Sequence, residues 1–575
     1  MTDHPTDHPS RRHFLRSSAL ALGGLALPMQ APASILSFGA NATRRILRGS
    51  TDVHIDVLPF EPVGAVTRNH YGHFIEHLGG VIYDGVWVGE KSKIPNIDGI
   101  RKSLVDDLRA LTPGVVRWPG GCFADSYDWL DGIGTRGKRP RRTSFWTVTM
   151  DPKVKSGPAR YEPNQFGTPE FLRFCKLVGA DPYLAVNMRS RTALDFAHWV
   201  EYCNAPRGTT TLAEQREADG SPEPYNVRFW GVGNEPWACG GTMEPEEYAQ
   251  EFRKFTSWIP VYPQDDNTRG LRPLLIAAGP NEDDYAWTRK FFASMTSRFA
   301  DEPYGMSVHE YFGRRDRATF ETAGWYGMLQ SPRTYTDMIL RHADIIRTAG
   351  AKTTLVLDEW GAWYGGDTGR TDPSHLYEQI PTLRDALVTS LMFDTFQRHV
   401  DVVGMATVAQ TVNCLHALFL AKEEKYIRTP VYHAFALYQP HIGGTSVRTV
   451  AAAERITFPN GKDPKVTEWI DGVSTSATRH DGTDGTPKRI VLTMTNPHMD
   501  QPSAATIALH GVTVKSGEIT RLTHPDVHAQ NTFDAPNIVA LSTPETLLLP
   551  TSASTRPLTV ILPPASVTRV ICTLG

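Results

Sequence analysis

Two glutamates carry the reactive chemistry this sequence permits. Glu235 sits in Phe229-Trp-Gly-Val-Gly-Asn-Glu-Pro-Trp237, and Glu359 in Thr354-Leu-Val-Leu-Asp-Glu-Trp-Gly361. In both, a run of apolar strand formers ends on a carboxylate flanked by aromatic residues. One carboxylic acid to protonate a leaving oxygen, and a second carboxylate to attack carbon or activate water, are the minimum for cleaving a glycosidic bond. Pro236 cannot donate to a ladder, so the strand from Val227 is expected to stop there and leave Glu235 at its tip. No third carboxylate is assigned to water activation, so the pair is expected about 5–5.5 Å apart, the spacing of a retaining enzyme. The competing reading, two surface carboxylates at loop starts, fits poorly with aromatic, glycine-rich settings.

The elements that must position these groups alternate along the chain. Strand-like runs occupy 71–76, 114–121, 183–187, 227–232, 274–278, 305–309, 355–359 and 401–410. Between them lie helical patterns such as Leu104, Leu108 and Leu111, or Phe171, Phe174, Cys175 and Val178, the latter opened by Thr168 as cap ahead of Pro169. Eight such alternations predict an α/β fold, a (β/α)8 barrel over 69–428, whose strand ends gather catalytic groups. A doubly wound open sheet is the alternative, but no glycine-rich phosphate loop follows an early strand. After about Thr429 short alternating strands separated by turns predict an antiparallel β-sandwich over 429–575, read as a domain that buttresses the barrel. Residues 51–68 read as a strand segment packing with that sandwich, and 34–50 as a linker.

The chain of 575 residues is too long for one core. Its net charge of −3 points to neither nucleic acid nor an anionic membrane. Thirteen Trp and nineteen Tyr offer flat apolar faces on which sugar rings stack, though they are also core material. Six widely spaced Cys without a C-x-x-C pair predict neither a zinc cluster nor a disulfide framework, only small buried residues. Ser10-Arg-Arg-His-Phe-Leu-Arg16, the weakly apolar Ser17 to Leu27 and Ala31-Pro-Ala33 predict a twin-arginine signal over 1–33, export to the periplasm or beyond, and no membrane attachment after its removal.

Several motifs now combine: Gly72-His-Phe-Ile-Glu-His-Leu-Gly-Gly80, Arg117-Trp-Pro-Gly-Gly-Cys-Phe123, Tyr127-Asp-Trp129, Gly231-Val-Gly-Asn-Glu235, Ser307-Val-His309, Asp358-Glu-Trp360 and Ala409-Gln410. Over residues 71–438 the chain resembles the α-L-arabinofuranosidases of glycoside hydrolase family 51. The resemblance implies a barrel with a β-sandwich, a retaining mechanism and no cofactor. It implies Glu235 as acid/base and Glu359 as nucleophile, with Glu76, Cys122, Asn234, Tyr311 and Gln410 on the furanose. From their strand-end positions Arg117, His309 and Tyr311 are candidate donors to Glu359, and Arg117 and His309 are counted with the five furanose contacts as substrate-binding residues. The implied substrate is a terminal α-L-arabinofuranosyl residue of an arabinose-containing oligo- or polysaccharide, and the family's frequent oligomers imply a homo-oligomer.

Two stretches depart from the family pattern. Asn187-Met-Arg-Ser-Arg191 replaces a glycine-rich turn, and its arginines either narrow the site or are solvated loop charges. His309-Glu-Tyr311 replaces His-Tyr-Tyr, with Glu310 expected to point away. His309 and Glu310 as metal ligands lack a second His-rich motif, so no metal is expected. Cys122 as nucleophile would need a His base. Trp87, Trp129 and Trp237 either line the mouth or pack. Two other functions stay open at this level: a barrel glycosidase acting on pyranosides, such as a β-xylosidase or endoglucanase, and an inactive secreted carbohydrate-binding protein.

Overall fold

The computed structural model describes residues 52–575 apart from 150–160, 265–266, 296–302, 314–318, 365–374, 462 and 550–556. The signal and linker expected over 1–50 lie outside the described residues.

After a long first strand, β1 (Asp52–Ala65), eight parallel strands follow: β2 (Gly72–Phe74), β3 (Val115–Trp118), β4 (Asp181–Val186), β5 (Phe229–Val232), β6 (Leu274–Ala277), β7 (Gly305–Phe312), β8 (Thr354–Ala362) and β9 (Val403–Val408). They close into a barrel in chain order, sealed where Thr407 and Val408 of β9 pair with Gly72 and His73 of β2. All eight expected strands are present. A helix follows each: α1 (Lys102–Leu111), α2 (Thr168–Val178), α3 (Ala193–Asn204), α4 (Pro245–Thr256), α5 (Tyr285–Ser294), α6 (Thr322–Thr348), α7 (Leu383–Arg398) and α8 (Pro430–Tyr438).

The apolar stripes read from the sequence are the buried faces of these helices. Leu104, Leu108 and Leu111 of α1 are buried, as are Phe171, Phe174, Cys175 and Val178 of α2. The cap of α2 is Gly167 rather than Thr168; Glu170 Oε2 accepts its backbone N–H at 2.8 Å and satisfies that otherwise orphaned donor. Inside the barrel, Val115, Tyr183, Phe229, Ile276, Val356 and Met405 form a small plug of their own. The barrel is therefore packed and not a pore, and its chemistry is confined to the strand ends.

The second domain is one nine-stranded sheet. After α8 come β10 (Thr445–Ala452), β11 (Ser474–Asp481), β12 (Pro487–Asn496), β13 (Ser503–Leu509), β14 (Val514–Thr523), β15 (Glu545–Thr546), β16 (Leu558–Leu562) and β17 (Ser566–Leu574). Their order is β15-β14-β17-β12-β11-β10-β1-β13-β16. The sheet encloses a core to which Val53, Ile55 and Val57 of β1 contribute alternate side chains. It is not wholly antiparallel: β1 pairs antiparallel with β10 but parallel with β13, because the first strand is inserted between two later ones. Since α8 completes the eighth strand–helix unit, the sheet domain resumes at Thr445 and not at 429.

The two domains share a polar seam. Asp394 of α7 is fully buried and accepts hydroxyl bonds from Ser474, Ser476 and Tyr438, each at 2.7 Å. Arg398 of the same helix donates to Thr475 O at 3.1 Å. A buried carboxylate costs several kcal/mol unless its lone pairs are occupied, so this seam fixes the docking as well as the contact.

Candidate active site

The residues picked out from the sequence converge at the carboxyl ends of the barrel strands. Glu359 lies within β8, in register with His309 on β7. Both its oxygens are held: Arg117 Nη1 donates to Oε1 at 2.8 Å and the Tyr311 hydroxyl to Oε2 at 2.7 Å. Its side chain is only 8 % exposed. Gly121 makes room for it, since a Cβ there would stand 2.5 Å from Glu359 Oε1.

Glu235 is placed differently. Strand β5 ends at Val232, and Gly233, at φ +85°, turns the chain before Pro236 is reached. The expected stop at Pro236 is thus one turn late, because only glycine adopts that conformation without strain. Glu235 itself is at φ +39°, the left-handed region that a side chain enters only when its surroundings enforce it. Its Oε1 accepts from His309 Nδ1 at 3.1 Å, and its side chain is 19 % exposed. An oxygen of Glu235, Nδ1 or Nε2 of His309 and an oxygen of Glu359 all lie within 4.8 Å of one another. Such proximity is in keeping with a retaining pair, whose carboxyls stand about 5–5.5 Å apart.

Charges between and beneath the glutamates are tightly arranged. Burial lowers the pKa of His309, but the neighbouring Glu359 and Asp358 and its hydrogen bonds to Asp358 and Glu235 outweigh that and raise it to about 10. His309 is therefore a cation that donates from Nδ1 to Glu235 and from Nε2 to Asp358 Oδ1 at 3.1 Å. Burial opposes the charge on Asp358, yet Arg117, His309 and the Tyr183 hydroxyl, at 2.7 Å, hold its carboxyl well below the usual carboxylate range. Arg117 also donates from Nη2 to Asn234 Oδ1 at 2.7 Å, so one guanidinium ties the Glu235 loop to Glu359. Glu76 is pushed up to about 8, first by burial and then by the charge of Glu359, against the opposing Phe123 N–H. Its oxygens accept from that N–H at 3.1 Å and from Gln410 Nε2 at 3.2 Å, while Gln410 Oε1 accepts its backbone N–H at 3.0 Å. The joint Ala409–Gln410 is a cis peptide.

Cys122 is not a free thiol. It forms a disulfide with Cys239, 117 residues away, which corrects the expectation of isolated cysteines; Cys175, Cys203, Cys414 and Cys572 are free and buried as expected. The disulfide sulfurs lie 4.0 and 3.9 Å from Glu235 Oε2. Without a proton they donate nothing, so they form a soft apolar wall on the side of Glu235 away from His309. The geometry of Glu235, His309 and Glu359 would suit a metal, but the donors are spent: both His309 nitrogens donate, and both Glu359 oxygens are engaged.

The arginines of the 187–191 departure are tied to neighbouring side chains. Arg191 pairs with Asp128 at 3.1 Å and Asp195 at 2.8 Å, and Arg189 bonds the Ser126 hydroxyl, so neither is a free loop charge. Trp87 and Trp129 are buried packing residues, Trp129 stacking on Trp199 at 6.0 Å. The sequence reading missed an aromatic series leading out of the site: Tyr311 meets Trp363 at 5.2 Å, Trp363 meets Tyr377 at 5.1 Å, and Tyr377 meets Trp146 at 6.0 Å. It also missed Asp125, whose carboxylate is fully buried among backbone N–H groups. Trp363, four residues past Glu359, was open to detection as a loop aromatic at a strand end; Asp125 carried no local signal.

Comparison with known proteins shows extensive similarity to α-L-arabinofuranosidases. The family model described as alpha-L-arabinofuranosidase C-terminal domain matches residues 358–566, and that described as alpha-L-arabinofuranosidase 1 domain matches residues 107–268. An intracellular exo-alpha-L-arabinofuranosidase of Bacteroides ovatus is 35% identical over 485 residues, 82% of this chain and 87% of that protein. Alpha-L-arabinofuranosidase C of Emericella nidulans is 30% identical, over 82% of this chain and 88% of its own. Among solved structures, the GH51 arabinofuranosidase from Xanthomonas axonopodis pv. citri superposes with a TM-score of 0.79 at 34% identity, covering 91% of this chain and all of its own. The alpha-L-arabinofuranosidase from Thermotoga maritima, solved as an arabinose complex, gives 0.75 at 28% identity with the same coverage.

Proposed function

Because the chain belongs to the α-L-arabinofuranosidases of glycoside hydrolase family 51, and so releases arabinofuranosyl residues, we propose that Glu359 is its nucleophile and Glu235 its acid/base. The unequal surroundings of the two carboxylates carry this assignment. A nucleophile must stay ionised and aimed, and Glu359 takes one strong donor on each oxygen. An acid/base must exchange its proton with substrate and water, and Glu235 has one oxygen on His309 and the other against the disulfide wall and the more open side.

The reaction then runs in two displacements. Glu235 gives its proton to the glycosidic oxygen as Glu359 attacks the anomeric carbon from the opposite face, and the aglycone leaves. Glu235, now ionised, takes a proton from water, which displaces Glu359 and restores the α configuration. Glu76, Asn234, Tyr311 and Gln410 are the furanose contacts of this proposal, with the Cys122 sulfur offering apolar contact. The decisive test is the peptide that becomes labelled. Glu235→Ala supplied with an activated aryl arabinofuranoside, quenched and digested, should carry one anhydropentose on the peptide holding Glu359. A label elsewhere would reassign the nucleophile.

The substrate is proposed to be a terminal α-L-arabinofuranosyl group of a plant oligo- or polysaccharide, entering past Trp363, Tyr377 and Trp146. Export by the twin-arginine route is proposed from Ser10-Arg-Arg-His-Phe-Leu-Arg16 and the Ala31-Pro-Ala33 site. Replacing Arg11 and Arg12 by Lys should strand the precursor in the cytoplasm; unchanged export would refute it.

A further inference from the structure

Asp125 lies on the short 3-10 turn Ala124–Ser126 after β3 and is fully buried, yet it belongs to none of the groups assigned to substrate or reaction. Its carboxylate gathers backbone amides from two other strand ends. Oδ1 accepts from Met188 N at 2.8 Å and Arg189 N at 3.3 Å, at the exit of β4. Oδ2 accepts from Asn234 N at 3.0 Å, at the exit of β5. Asn234 immediately precedes Glu235, whose left-handed backbone persists only where its surroundings hold it. Arg117 holds the Asn234 side chain, and Asp125 holds its backbone. We propose that Asp125 is a positioning residue that fixes the direction in which Glu235 leaves the barrel, and thereby where the acid/base proton is delivered. The role rests on the assignment of Glu235 as acid/base. The same turn also holds the stretch 187–191 through its backbone: Ser190 Oγ donates to Asp125 O at 3.3 Å and Asn187 Nδ2 to Tyr127 O at 3.0 Å.

Asp125→Asn keeps the shape but offers one accepting oxygen where two are used, so either Asn234 N or the Met188 and Arg189 amides face a donor. If Asp125 positions Glu235, kcat/KM for an alkyl arabinofuranoside, whose leaving group needs the proton, should fall by about 10- to 100-fold. For the 2,4-dinitrophenyl arabinofuranoside, which leaves unaided, it should fall only a few-fold, and azide should restore lost kcat on that substrate. Asp125→Ser, smaller and able to admit a water, should show the same ordering if the Asn protein folds poorly. An equal fall on both substrates would overturn the proposal in favour of a purely structural role. Glu235→Ala on the same pair separates the two readings. If it does not discriminate between leaving groups, the acid/base assignment fails; if it does and both Asp125 variants do not, the positioning role fails.

Discussion

The two glutamates differ in how the chain holds them. Glu359 sits inside a nine-residue strand, in register with His309 on one side and beside an irregularity of the β9 pairing on the other, with donors on both oxygens. Glu235 stands beyond a four-residue strand, in a left-handed conformation, and depends on Gly233, Asp125, Arg117 and the Cys122–Cys239 link for its place. The difference matches two chemical demands. A nucleophile works from one position and gains from a rigid ladder, whereas a group that first gives and later takes a proton serves two geometries.

Removing either side chain should break the comparison in opposite ways. Glu359→Ala loses the nucleophile, so no covalent intermediate forms and kcat should fall at least about 10⁴-fold even on an activated aryl substrate. Azide placed in the vacated space attacks once and should give the inverted β-azide by NMR. Glu235→Ala should cost about 10²–10⁴-fold on unactivated substrates but leave a burst of phenol on an activated one. Azide, which needs no base, then attacks the glycosyl-enzyme and should give the retained α-azide. Exchange of the two anomers would exchange the two roles.

What the sequence disclosed follows the same division. Barrel strands are local: apolar runs such as 355–359 show both the strand and the residue at its end, so Glu359 and its neighbours were legible. The resemblance extended this to Glu76, Asn234, Tyr311 and Gln410, whose side chains lie at the strand ends among the bonds of Arg117 and Glu359 and each other. Loop anchoring is non-local. Cys122 and Cys239 are 117 residues apart, and Asp125 reaches amides 63 and 109 residues away, with no periodicity to reveal either. The end of β5 was misjudged because Pro236 was weighed above Gly233, three residues earlier.

The disulfide gives a smaller, sharper test. Cys239→Ser frees the Glu235 loop from the turn after β3 while leaving Cys122 in place. Its kcat/KM should drop about tenfold, a loss of about 1–2 kcal/mol, with the larger share on substrates that need the proton. Cys122→Ser should match it if the tether matters most, and exceed it if the sulfur also touches the furanose. An unchanged Cys239→Ser enzyme would show that the remaining contacts suffice to hold Glu235.

The smallest effect is on stability, and it distinguishes the two glutamates without any substrate. Glu76 is raised to about 8 by burial and then by Glu359, with Glu235 a lesser contributor. An acid whose folded pKa lies above its unfolded value of about 4.3 binds protons more tightly when folded. Its contribution is fully present below about pH 4 and is lost as pH rises through 8. His309, raised to about 10, adds a loss in the same direction, between about 6.5 and 10. In thermal unfolding these two groups contribute a loss of stability from pH 5 to 9, set against the opposite contribution of buried histidines such as His73 and His433, whose lowered values favour the folded state as pH rises to about 6.5. Glu76→Gln removes the first contribution and keeps the second, so its decline should be shallower by a few degrees. It also places an amide against Gln410 Nε2, a cost independent of pH, so the slope and not the absolute Tm is the quantity to compare. Glu359→Gln relieves the larger repulsion and should flatten the wild-type decline, whereas Glu235→Gln should flatten it less. Parallel curves for all four proteins would mean that Glu76 does not titrate between folded and unfolded states as its surroundings require; a flatter curve for Glu235→Gln than for Glu359→Gln would place the dominant negative charge beside Glu76 on the wrong glutamate.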